Sequence, residues 1–403
     1  MSSTALPLSG IRVIDYSHFL AGPYMARCLA ALGADVIKVE RPGGGDAGRV
    51  HAYMVGDVSG YFLQQNMGKR GICVDVRQPE GLRVVQDLVR TADVFLENYR
   101  PGALEKLGLG YEALSAINER LIYCSVSAYG HTGPEAGQPG FGLIAEAKSG
   151  ALAQMGNPGE APPLLRMPIA DMYTGIHGVA AVCAAIVGRQ KNGCGQHIDM
   201  ALYDCMVSMH DFAIQAYTFS GGEELPQQVG HDLPDATVYG VFPAKDGYLV
   251  IAAQVDAMWK KLALLIGGET LAADERFLTS QARNANRPGA LDYVTQWTTT
   301  QESVKDCIAQ LSRAGVPCSP VQRIDEVIND PQVIARGMII EQEHPKLGTI
   351  RLPNLPFRFS GFTAPTPTLA PELGEDNETV LRELGYSAEQ IASLAQAGIM
   401  CKA

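Results

Sequence analysis

The stretch "IRVIDYSHFLAGPYMARCLAALGADVIKVE" (Ile11–Glu40) decides the fold of this chain. Its beginning, Ile11–Ser17, is rich in β-branched residues and predicts a strand, and Asp35–Glu40 predicts a second one. Between them, Gly22–Ala34 has the apolar spacing of an amphipathic helix that ends at Gly33. A strand, a helix and a strand in this order predict a βαβ unit whose two strands are parallel.

The same alternation continues to about residue 130, and a longer helix follows. Strands are predicted for "GICVDV", "DVFLEN" and "LIYCSVSAYG", and helices for "PEGLRVVQDLVRTA" and the stretch near Tyr111–Asn118. This first part of the chain therefore predicts a doubly wound α/β sheet. Beyond it we expect a helix from Met172 to Arg189, a strand over Gln196–Leu202 and a helix near Tyr203–Phe219.

The second half of the sequence indicates two domains. The polar, turn-rich segment Ser220–Ala236 marks a boundary, so we expect residues 226–329 to form a small α+β domain. Residues 1–225 and 330–403 then form the large domain. The small domain opens with the hairpin "VYGVFPAKDGYLVIAA", turned at Asp246-Gly247. The chain returns through the β-rich stretches Met338–Glu343 and Gly348–Leu352, a Pro-rich strap (Pro353–Pro371) and two terminal helices.

The composition argues against several classes of protein. The 403 residues carry a formal net charge of −11, with Lys and Arg dispersed, whereas a nucleic-acid binder needs a basic patch. Nine cysteines without a C-x-x-C pair indicate reduced thiols. The N-terminus lacks a secretory signal, and the longest apolar run, Val179–Val187, is shorter than the roughly 20 residues of a membrane span. We therefore expect a soluble, cytoplasmic protein that contacts neither nucleic acid nor membrane.

Common cofactor and catalytic motifs are missing from the sequence. The turn after the first strand, "SHFLAGP", has Gly22 alone where a dinucleotide fingerprint needs G-x-G-x-x-G. This disfavours the alternative of a nicotinamide-dependent oxidoreductase. The sequence contains no H-E-x-x-H metal motif, no G-x-S-x-G elbow and no P-loop. We expect neither a metal nor a tightly bound cofactor.

Basic residues follow several of the predicted strands. Arg41 lies in the loop "ERPGGGD" after the second strand, at the carboxyl edge of the sheet, where open α/β folds bind ligands. More basic residues lie at strand ends or in the loops after them: Lys69, Arg70, Arg77, Arg100 and Lys106. Together they predict a site for an anionic ligand, while each one alone is more typical of a solvated surface charge.

Asp171 precedes the predicted long helix, within the stretch "LLRMPIADMYTGIHGVAAVCAAIVGRQ" (Leu164–Gln190). As an N-cap its side chain would accept backbone N–H groups, which contributes about 1 kcal/mol. A carboxylate at a helix N-terminus is also stabilised as the anion, the state that a nucleophile requires. The glycines and alanines of the helix allow another backbone or a ligand to approach closely. The residues leave both roles of Asp171 open.

At these residues the sequence resembles the family III CoA-transferases, the CaiB/BaiF group, nearly from end to end. The resemblance rests on the ordered motifs "RVIDYSHFLAGP", "LGADVIKVERPGGGD", "NMGKRGICVDVR", "ADVFLENYRPGALEKLGLGYE", "DMYTGIHG", "GRQKNGCGQHIDMALYD", "YGVFPAKDGYLVIA" and "LPFRFSG". It implies a Rossmann-like large domain, a small inserted domain and an interlocked homodimer of ring-like subunits. It also implies that Asp171 is the catalytic residue and that CoA is contacted by Leu20, Ala21, Arg41, Val74, Arg77, Asn98, Tyr99, Arg100, Lys106 and Phe141.

Two departures from related enzymes narrow the expected chemistry. Leu20 stands where the formyl-CoA transferases have a glutamine, and "QQVGHDLPDATVYG" replaces their glycine-rich loop, which argues against oxalate and formyl-CoA as substrates. The α-methylacyl-CoA racemases, which resemble this chain in fold, use the histidine of a G-H-D motif as a base. The matching residues here are Gly140, Phe141 and Gly142, and a phenylalanine accepts no proton. A racemase-like enzyme is therefore the weaker alternative.

The reaction that the resemblance implies moves CoA from an acyl-CoA donor to a free carboxylate through an aspartyl acyl anhydride on Asp171. A thioester and an anhydride are both activated acyl groups, so the reaction needs neither ATP nor a metal. Succinyl-CoA is the expected donor, and a small carboxylic, dicarboxylic or sulfinic acid is the expected acceptor. The residues do not distinguish among these acids.

Overall fold

A computed structural model describes residues 5–402, which fall into two compact units. The first unit contains the chain up to Ser149, Leu165–Asp211 and the chain from Ile334 onwards. The second contains Gly150–Leu164 and Phe212–Val333. The small domain predicted over residues 226–329 lies within the second unit.

A six-stranded parallel sheet organises the first unit. The part of the first unit up to Asp211 contains eight strands: β1 (Arg12–Tyr16), β2 (Asp35–Glu40), β3 (Met54–Val55), β4 (Val58–Ser59), β5 (Arg70–Cys73), β6 (Val94–Glu97), β7 (Ile122–Ser127) and β8 (Gln196–Ala201). The sheet order is β5-β2-β1-β6-β7-β8, while β3 and β4 form a short hairpin. Strands that branch in both directions from the first one are typical of a Rossmann-like fold. The predicted mixed α/β class with a parallel sheet is confirmed.

The central strands are apolar because helices pack against a parallel sheet and exclude water from it. Ile14 of β1 is fully buried and lies in register with Ile37 of β2 and Phe95 of β6, which are also buried. Burying an apolar side chain of this size contributes about 1.5–3 kcal/mol. Strand β2 also buries the charged side chain of Lys38, whose Nζ forms an ion pair with Asp46 at 2.9 Å.

The helices of this part alternate with the strands. They are α1 (Ala21–Ala31), α2 (Gly60–Asn66), α3 (Pro79–Thr91), α4 (Tyr111–Ile117), α5 (Gly142–Lys148), α6 (Ile169–Asn192) and α7 (Leu202–Ser208). Pro79 stands at the start of α3, where its missing N–H is not needed and its fixed φ suits the helix. The helix predicted near Tyr203–Phe219 is divided in two: α7 ends at Ser208, and a separate helix spans Ala213–Phe219. Between the two, the ring of His210 is hydrogen-bonded to the carbonyl of Ser149 at 2.7 Å.

Helix α6 packs closely against α1 through its glycines. A Cβ on Gly175 would lie 2.8 Å from the ring of Tyr24, and one on Gly178 would collide with Met25. The small residues of the predicted long helix therefore admit another helix. Among the described helices, α6 is also the one with the length and apolar composition of a membrane span, properties that a helix in the core of a protein shares.

The second unit combines a small antiparallel sheet with helices. Its elements are α8 (Ala213–Phe219), β9 (Tyr239–Ala244), β10 (Gly247–Ala252), α9 (Asp256–Ala272), α10 (Ser280–Ala285), α11 (Arg287–Thr300), α12 (Val304–Ala314), β11 (Cys318–Pro320), α13 (Ile324–Val327) and α14 (Pro331–Ala335), the last of which ends in the first unit. The sheet order is β11-β10-β9. Ala244 pairs with Gly247, so the hairpin turn is formed by Lys245 and Asp246, one residue earlier than predicted.

The C-terminal part of the chain completes the first unit. It contains the hairpin β12 (Ile339–His344) and β13 (Gly348–Pro353) and the helices α15 (Asn377–Glu383) and α16 (Ala388–Gln396). The Pro-rich segment before α15 crosses the N-terminal part of the unit, where the N–H of Gly68 donates to the carbonyl of Thr368 at 3.0 Å. The predicted strap is therefore present. All nine cysteines lie in the described part and are free thiols.

Candidate active site

A cavity of about 380 Å³ lies at the carboxyl edge of the parallel sheet. The loops after β1, β6 and β7 contribute to its walls, as is typical of ligand sites in open α/β folds. The structure brings seven of the predicted site residues together here: Leu20, Ala21, Asn98, Tyr99, Arg100, Phe141 and Asp171. The cavity is also lined by His18, Phe19, Ala103, Val126, Ser127, Ala128, Gly140 and Leu202.

Asp171 lies in the first turn of α6, at the wall of this cavity. The helix begins at Ile169, earlier than the predicted Met172, and Pro168 occupies the N-cap position. Asp171 is therefore not the N-cap, and the N-cap residue itself forms no side-chain hydrogen bond to the helix. Its carboxylate is left available to a ligand in the cavity, within the turn that carries the positive end of the helix dipole.

Burial dominates the electrostatics of the Asp171 carboxyl. Removal from water, together with the negative charge of Glu146, raises its pKa from 3.8 to about 6. The expectation that the helix N-terminus favours the anion is thus outweighed by these two effects. At pH 7 the anion still exceeds the acid by about ten to one. Asp171 is ionised at neutral pH and is a stronger base than an exposed aspartate.

Gly142 makes room for the Asp171 carboxylate. A Cβ on Gly142 would collide with Oδ2 of Asp171 and would lie 3.1 Å from its Cγ. A Cβ on Gly140 would lie 2.6 Å from Cβ of Ala128. The two glycines flank Phe141, which is 67% exposed and lines the cavity. The segment passes close to the Asp171 carboxylate because Gly142 carries no side chain, and close to Ala128 because Gly140 carries none.

The turn after β1 forms another wall of the cavity. Phe19 has a φ of 61°, a left-handed conformation that is uncommon for a residue with a large side chain. Asp46 holds it there, because Oδ1 of Asp46 accepts the N–H of Phe19 at 3.0 Å. Asn98 binds the neighbouring His18 twice, accepting its N–H at 2.8 Å and donating to its carbonyl at 2.7 Å. The loops after β1, β2 and β6 are thereby joined.

Lys38 supports the same turn from the interior. Its Nζ is fully buried, donates to the carbonyl of Ser17 at 2.9 Å and forms an ion pair with Asp46 at 2.9 Å. Burial alone would lower the pKa of Lys38, but the charges of Asp15 and Asp46 raise it. Burial alone would raise the pKa of Asp46, but Lys38 lowers it to about 2. Both groups are therefore charged, and together they fix the main chain beside the cavity.

A second cavity of about 240 Å³ adjoins the first and shares His18, Phe19 and Tyr99 with it. Arg41 lines this second cavity, and Arg100 lines the first. Both arginines are exposed, and neither has an ion-pair partner between residues 5 and 402. Free guanidinium groups at both cavities suit a polyanionic ligand. Within that same range, no group of three or more His, Cys, Asp or Glu could hold a metal ion.

Three of the predicted ligand contacts line neither cavity. Val74 is buried in the hydrophobic core. Arg77 has a 75% exposed side chain that pairs with Asp75 at 2.8 Å. Lys106 is exposed in the short turn after β6. A role of these three residues in ligand binding stays a prediction.

Lys69 and Arg70 do not join the basic group at this edge, contrary to expectation. Lys69 is buried and its Nζ pairs with Asp15 at 2.7 Å, while burial lowers the pKa of Lys69 to about 8. Arg70 begins β5 and pairs at 2.7 Å with Asp35 and with Glu383, at the amino edge of the sheet. Each of these cations serves a carboxylate of the fold rather than a ligand.

Residues 8–377 match the model of CoA-transferase family III. The chain belongs to this family. It is similar to the succinate–glutarate CoA-transferase of Agrobacterium fabrum, with 37% identity over 385 residues, 94% of this chain and 96% of the relative. It is similar to the human succinyl-CoA:glutarate CoA-transferase, with 32% identity over 396 residues, 98% of this chain and 90% of the relative.

A solved structure places this family III CoA-transferase among the CaiB/BaiF proteins. A CaiB/BaiF family protein from Brucella suis superposes with a TM-score of 0.85 at 38% identity, over 94% of this chain and 100% of that one. The protein is thus an enzyme, a CoA-transferase, and its substrates include CoA thioesters.

Several residues that shape or support this cavity were not predicted as site residues from the sequence. Lys38 and Glu146 carried a signal, because each is a charged residue inside an apolar stretch, "DVIKVE" and "GLIAEAK". Charged residues are almost never fully buried without a partner, so both stretches pointed to a polar interior. No sequence signal indicated the left-handed turn at Phe19, because this turn depends on a hydrogen bond to Asp46, which is distant in the sequence.

Proposed function

We propose that this CoA-transferase moves CoA from succinyl-CoA to a small dicarboxylic acid, with Asp171 as nucleophile. The observation that carries the proposal is the half-buried, ionised carboxylate of Asp171 at the wall of a cavity that is also lined by Arg100. The choice of substrates is supported by the relatives, whose names join succinate or succinyl-CoA with glutarate, a dicarboxylic acid.

The first half of the reaction forms an acyl-enzyme. An Asp171 oxygen attacks the thioester carbonyl of succinyl-CoA, the C–S bond breaks, and CoA leaves as the thiolate. The product is a mixed anhydride between Asp171 and succinate. The thiolate then attacks the aspartyl carbonyl of this anhydride, which releases succinate and leaves an aspartyl-CoA thioester.

The second half mirrors the first with the acceptor acid. The acceptor carboxylate attacks the aspartyl carbonyl of the thioester, which gives a new anhydride and frees the CoA thiolate. The thiolate attacks the acceptor's acyl carbon, and Asp171 leaves as its carboxylate. Every step exchanges one activated acyl group for another, so no proton has to be moved and no energy source is consumed.

The CoA moiety is proposed to lie across the two adjoining cavities. Arg41 and Arg100 are the exposed, unpaired cations that face them, and they suit the phosphate groups of CoA. Asn98 and Tyr99 belong to the same walls.

Replacing Arg41 by Gln is expected to raise the KM for acyl-CoA about tenfold while leaving kcat within about twofold, because one charged contact contributes about 1.5 kcal/mol. A steady-state titration with succinyl-CoA measures both constants.

An interlocked homodimer in the cytoplasm completes the proposal. Ile176 and Val187 on α6 are 38% and 54% exposed, which supports a further partner surface for this apolar helix. The nine free thiols support a reducing compartment. Sedimentation equilibrium at micromolar concentration tests the dimer, and fractionation of the source cells tests the location.

Trapping of the acyl-enzyme tests the nucleophile. Incubation with succinyl-CoA and hydroxylamine is expected to convert Asp171 into a hydroxamate, visible as a mass change on the peptide that contains it. The Asp171→Asn variant is expected to show no label and to lose about three orders of magnitude or more in turnover, as is usual for a missing nucleophile. Turnover of this variant at the wild-type rate would contradict the mechanism. Mass-spectrometric screening of dicarboxylic and sulfinic acids then identifies the acceptor.

Hydrogen exchange distinguishes the racemase alternative. A racemase needs a base next to the α-carbon of the acyl group, and at the corresponding position the cavity presents Phe141. We therefore expect no deuterium at the α-carbon of a 2-methylacyl-CoA after incubation in D₂O, as followed by NMR. Exchange at a rate comparable with CoA transfer would favour the racemase.

A further inference from the structure

Glu146 is a second carboxylate next to the nucleophile. It lies on α5, is 4% exposed, and its Oε1 accepts the backbone N–H of Ala170 at 3.2 Å. Ala170 immediately precedes Asp171 in the first turn of α6. No ion pair to Lys, Arg or His is formed by Glu146 or by Asp171 anywhere in the described chain. Burying a carboxylate such as Glu146 without a cation lowers the stability of the folded chain. Packing alone does not explain why a charged residue occupies this position.

We propose that Glu146 is a positioning residue that anchors the first turn of α6 and holds a negative charge beside Asp171, so that acylation of Asp171 relieves the repulsion. The proposal rests on the proposed function of Asp171 and deepens it. Like charges at close range disfavour the state in which both are ionised. The free enzyme with two carboxylates is therefore raised in energy relative to the acyl-enzyme, in which Asp171 is neutral.

Acylation removes the repulsion between the two carboxylates because it changes the charge of Asp171. Asp171 enters as an anion and becomes an uncharged anhydride, and the negative charge leaves with the CoA thiolate. Repulsion from Glu146 is present before the step and is absent after it. An interaction that changes between ground state and intermediate alters the rate and the equilibrium of the step, whereas a constant one does not.

The surroundings of Asp171 leave Glu146 as the dominant neighbouring charge. Helix α6 packs against α1, α5, α7, β7 and β8. Their titratable or charged side chains are Tyr24, Arg27 and Cys28 on α1, Glu146 and Lys148 on α5, Tyr203, Asp204 and Cys205 on α7, Tyr123 and Cys124 on β7, and His197 and Asp199 on β8. Burial raises the pKa of each of the three thiols, so they are uncharged at neutral pH. Tyr61 on α2 is also close, since burial and then the charge of Asp171 raise the pKa of Tyr61. Of all these groups, Glu146 is the one whose charge raises the pKa of Asp171.

The Glu146→Gln variant separates the charge from the anchor. Glutamine has nearly the same size and keeps an oxygen that can accept the N–H of Ala170, but it carries no charge. We expect the acid limb of kcat/KM against pH to move to lower pH, so that activity at pH 5.5 relative to pH 8 rises about two- to threefold over wild type, since burial, the larger cause of the raised pKa of Asp171, stays. We also expect less acyl-enzyme to accumulate with succinyl-CoA when no acceptor is present.

Two control variants complete the experiment. Glu119→Gln removes one exposed negative charge elsewhere and should leave the pH profile unchanged. Glu146→Asp keeps the charge, and its acid limb is expected near that of the wild type even if its rate is lower. Should Glu146→Gln fail to fold, the proposal is judged by Glu146→Asp: a limb shifted downwards would contradict it and an unmoved limb would support it.

The outcomes distinguish this proposal from the proposed function. A Glu146→Gln enzyme with the wild-type pH profile and the wild-type fraction of acyl-enzyme would show that Glu146 only anchors the helix, and would overturn the inference. If instead the wild-type protein formed no acyl-enzyme, or carried it on a residue other than Asp171, the proposed function itself would fail.

Discussion

Asp171, the proposed nucleophile, occupies a position that lowers the stability of the folded chain at neutral pH. Its carboxyl has a pKa raised to about 6, so the folded chain binds the proton more tightly than the unfolded chain, whose pKa is near 3.8. The folded state accordingly loses stability as the pH rises from about 4 to about 6, and the loss is complete above that window. A neutral side chain at this position does not incur it.

The Asp171→Asn variant is therefore expected to be inactive and more stable. Its free energy of unfolding at pH 7.5 should exceed that of the wild type by about 1–3 kcal/mol, from the size of the pKa shift. The difference should shrink towards pH 4.5, where the wild-type carboxyl is mostly protonated. Urea unfolding at both pH values measures it. A variant less stable than the wild type at pH 7.5 would show that the carboxylate is stabilised by its surroundings.

Ionisation of Asp171 also sets the pH dependence of the reaction. In the proposed mechanism the anion attacks, so kcat/KM is expected to fall about tenfold per pH unit below an apparent pKa of about 6 and to be level between pH 7 and 8. Initial rates between pH 4.5 and 8.5, with stability checked at each pH, provide the profile. An acid limb near pH 4 would mean that the nucleophile is a solvent-exposed carboxylate.

Gly142 lies against the carboxylate of Asp171 and leaves space for it. The Gly142→Ala variant is expected to lose at least about two orders of magnitude in kcat while it stays folded, since a small misplacement of a reacting group has an effect of that size. Gly137→Ala is the control, because a Cβ there meets nothing within 4 Å. Circular dichroism checks the fold of both variants. Equal activity of the two variants would show that the carboxylate can move aside.

At the scale of elements, a buried ion pair connects β2 to the cavity. Asp46 accepts the N–H groups of Phe19 and Gly48, and its charge is balanced by Lys38. Asp46→Ala removes these bonds and leaves Lys38 with Asp15 at 3.9 Å, so we expect a loss of about 3–5 kcal/mol in stability. Asp46→Asn keeps an acceptor for both N–H groups and should lose less. Thermal unfolding of both variants ranks them, and equal losses would show that the charge alone matters.

The elements themselves could be predicted more closely than the site. The strand predicted over Asp35–Glu40 has those bounds in the structure, because β-branched residues and a preceding Gly33 turn act locally. The start of α6 was misplaced, because the sequence favours Asp171 as a cap while the chain uses Pro168. The sequence could not show which basic residues face a ligand and which pair with a carboxylate of the fold. Whether Arg70 faces a ligand or a carboxylate depends on Glu383, which folding brings in from the far end of the chain.

At the scale of the whole molecule, the C-terminal segment covers the β5 edge of the parallel sheet. An unpaired strand edge and its apolar flank are a liability unless they are covered. The N–H of Gly71 donates to Asp376 at 2.7 Å, and Val74 forms an isolated bridge with Met400. The terminal helices and the residues after α16 add buried side chains to the core of the N-terminal half: Val380, Leu381, Leu394, Ile399 and Met400.

Removal of residues 372–403 is therefore expected to unfold the first unit rather than trim it. The apolar side chains that leave the core contribute about 10 kcal/mol together, at about 1.5–3 kcal/mol each, and the whole stability of a domain is about 5–15 kcal/mol. The truncated chain should show no cooperative urea transition for this unit and no CoA transfer. A chain that ends at Cys401 keeps these contacts and is the control. If the shorter chain still unfolded cooperatively near the wild-type midpoint, the parallel sheet would be stable with its β5 edge uncovered.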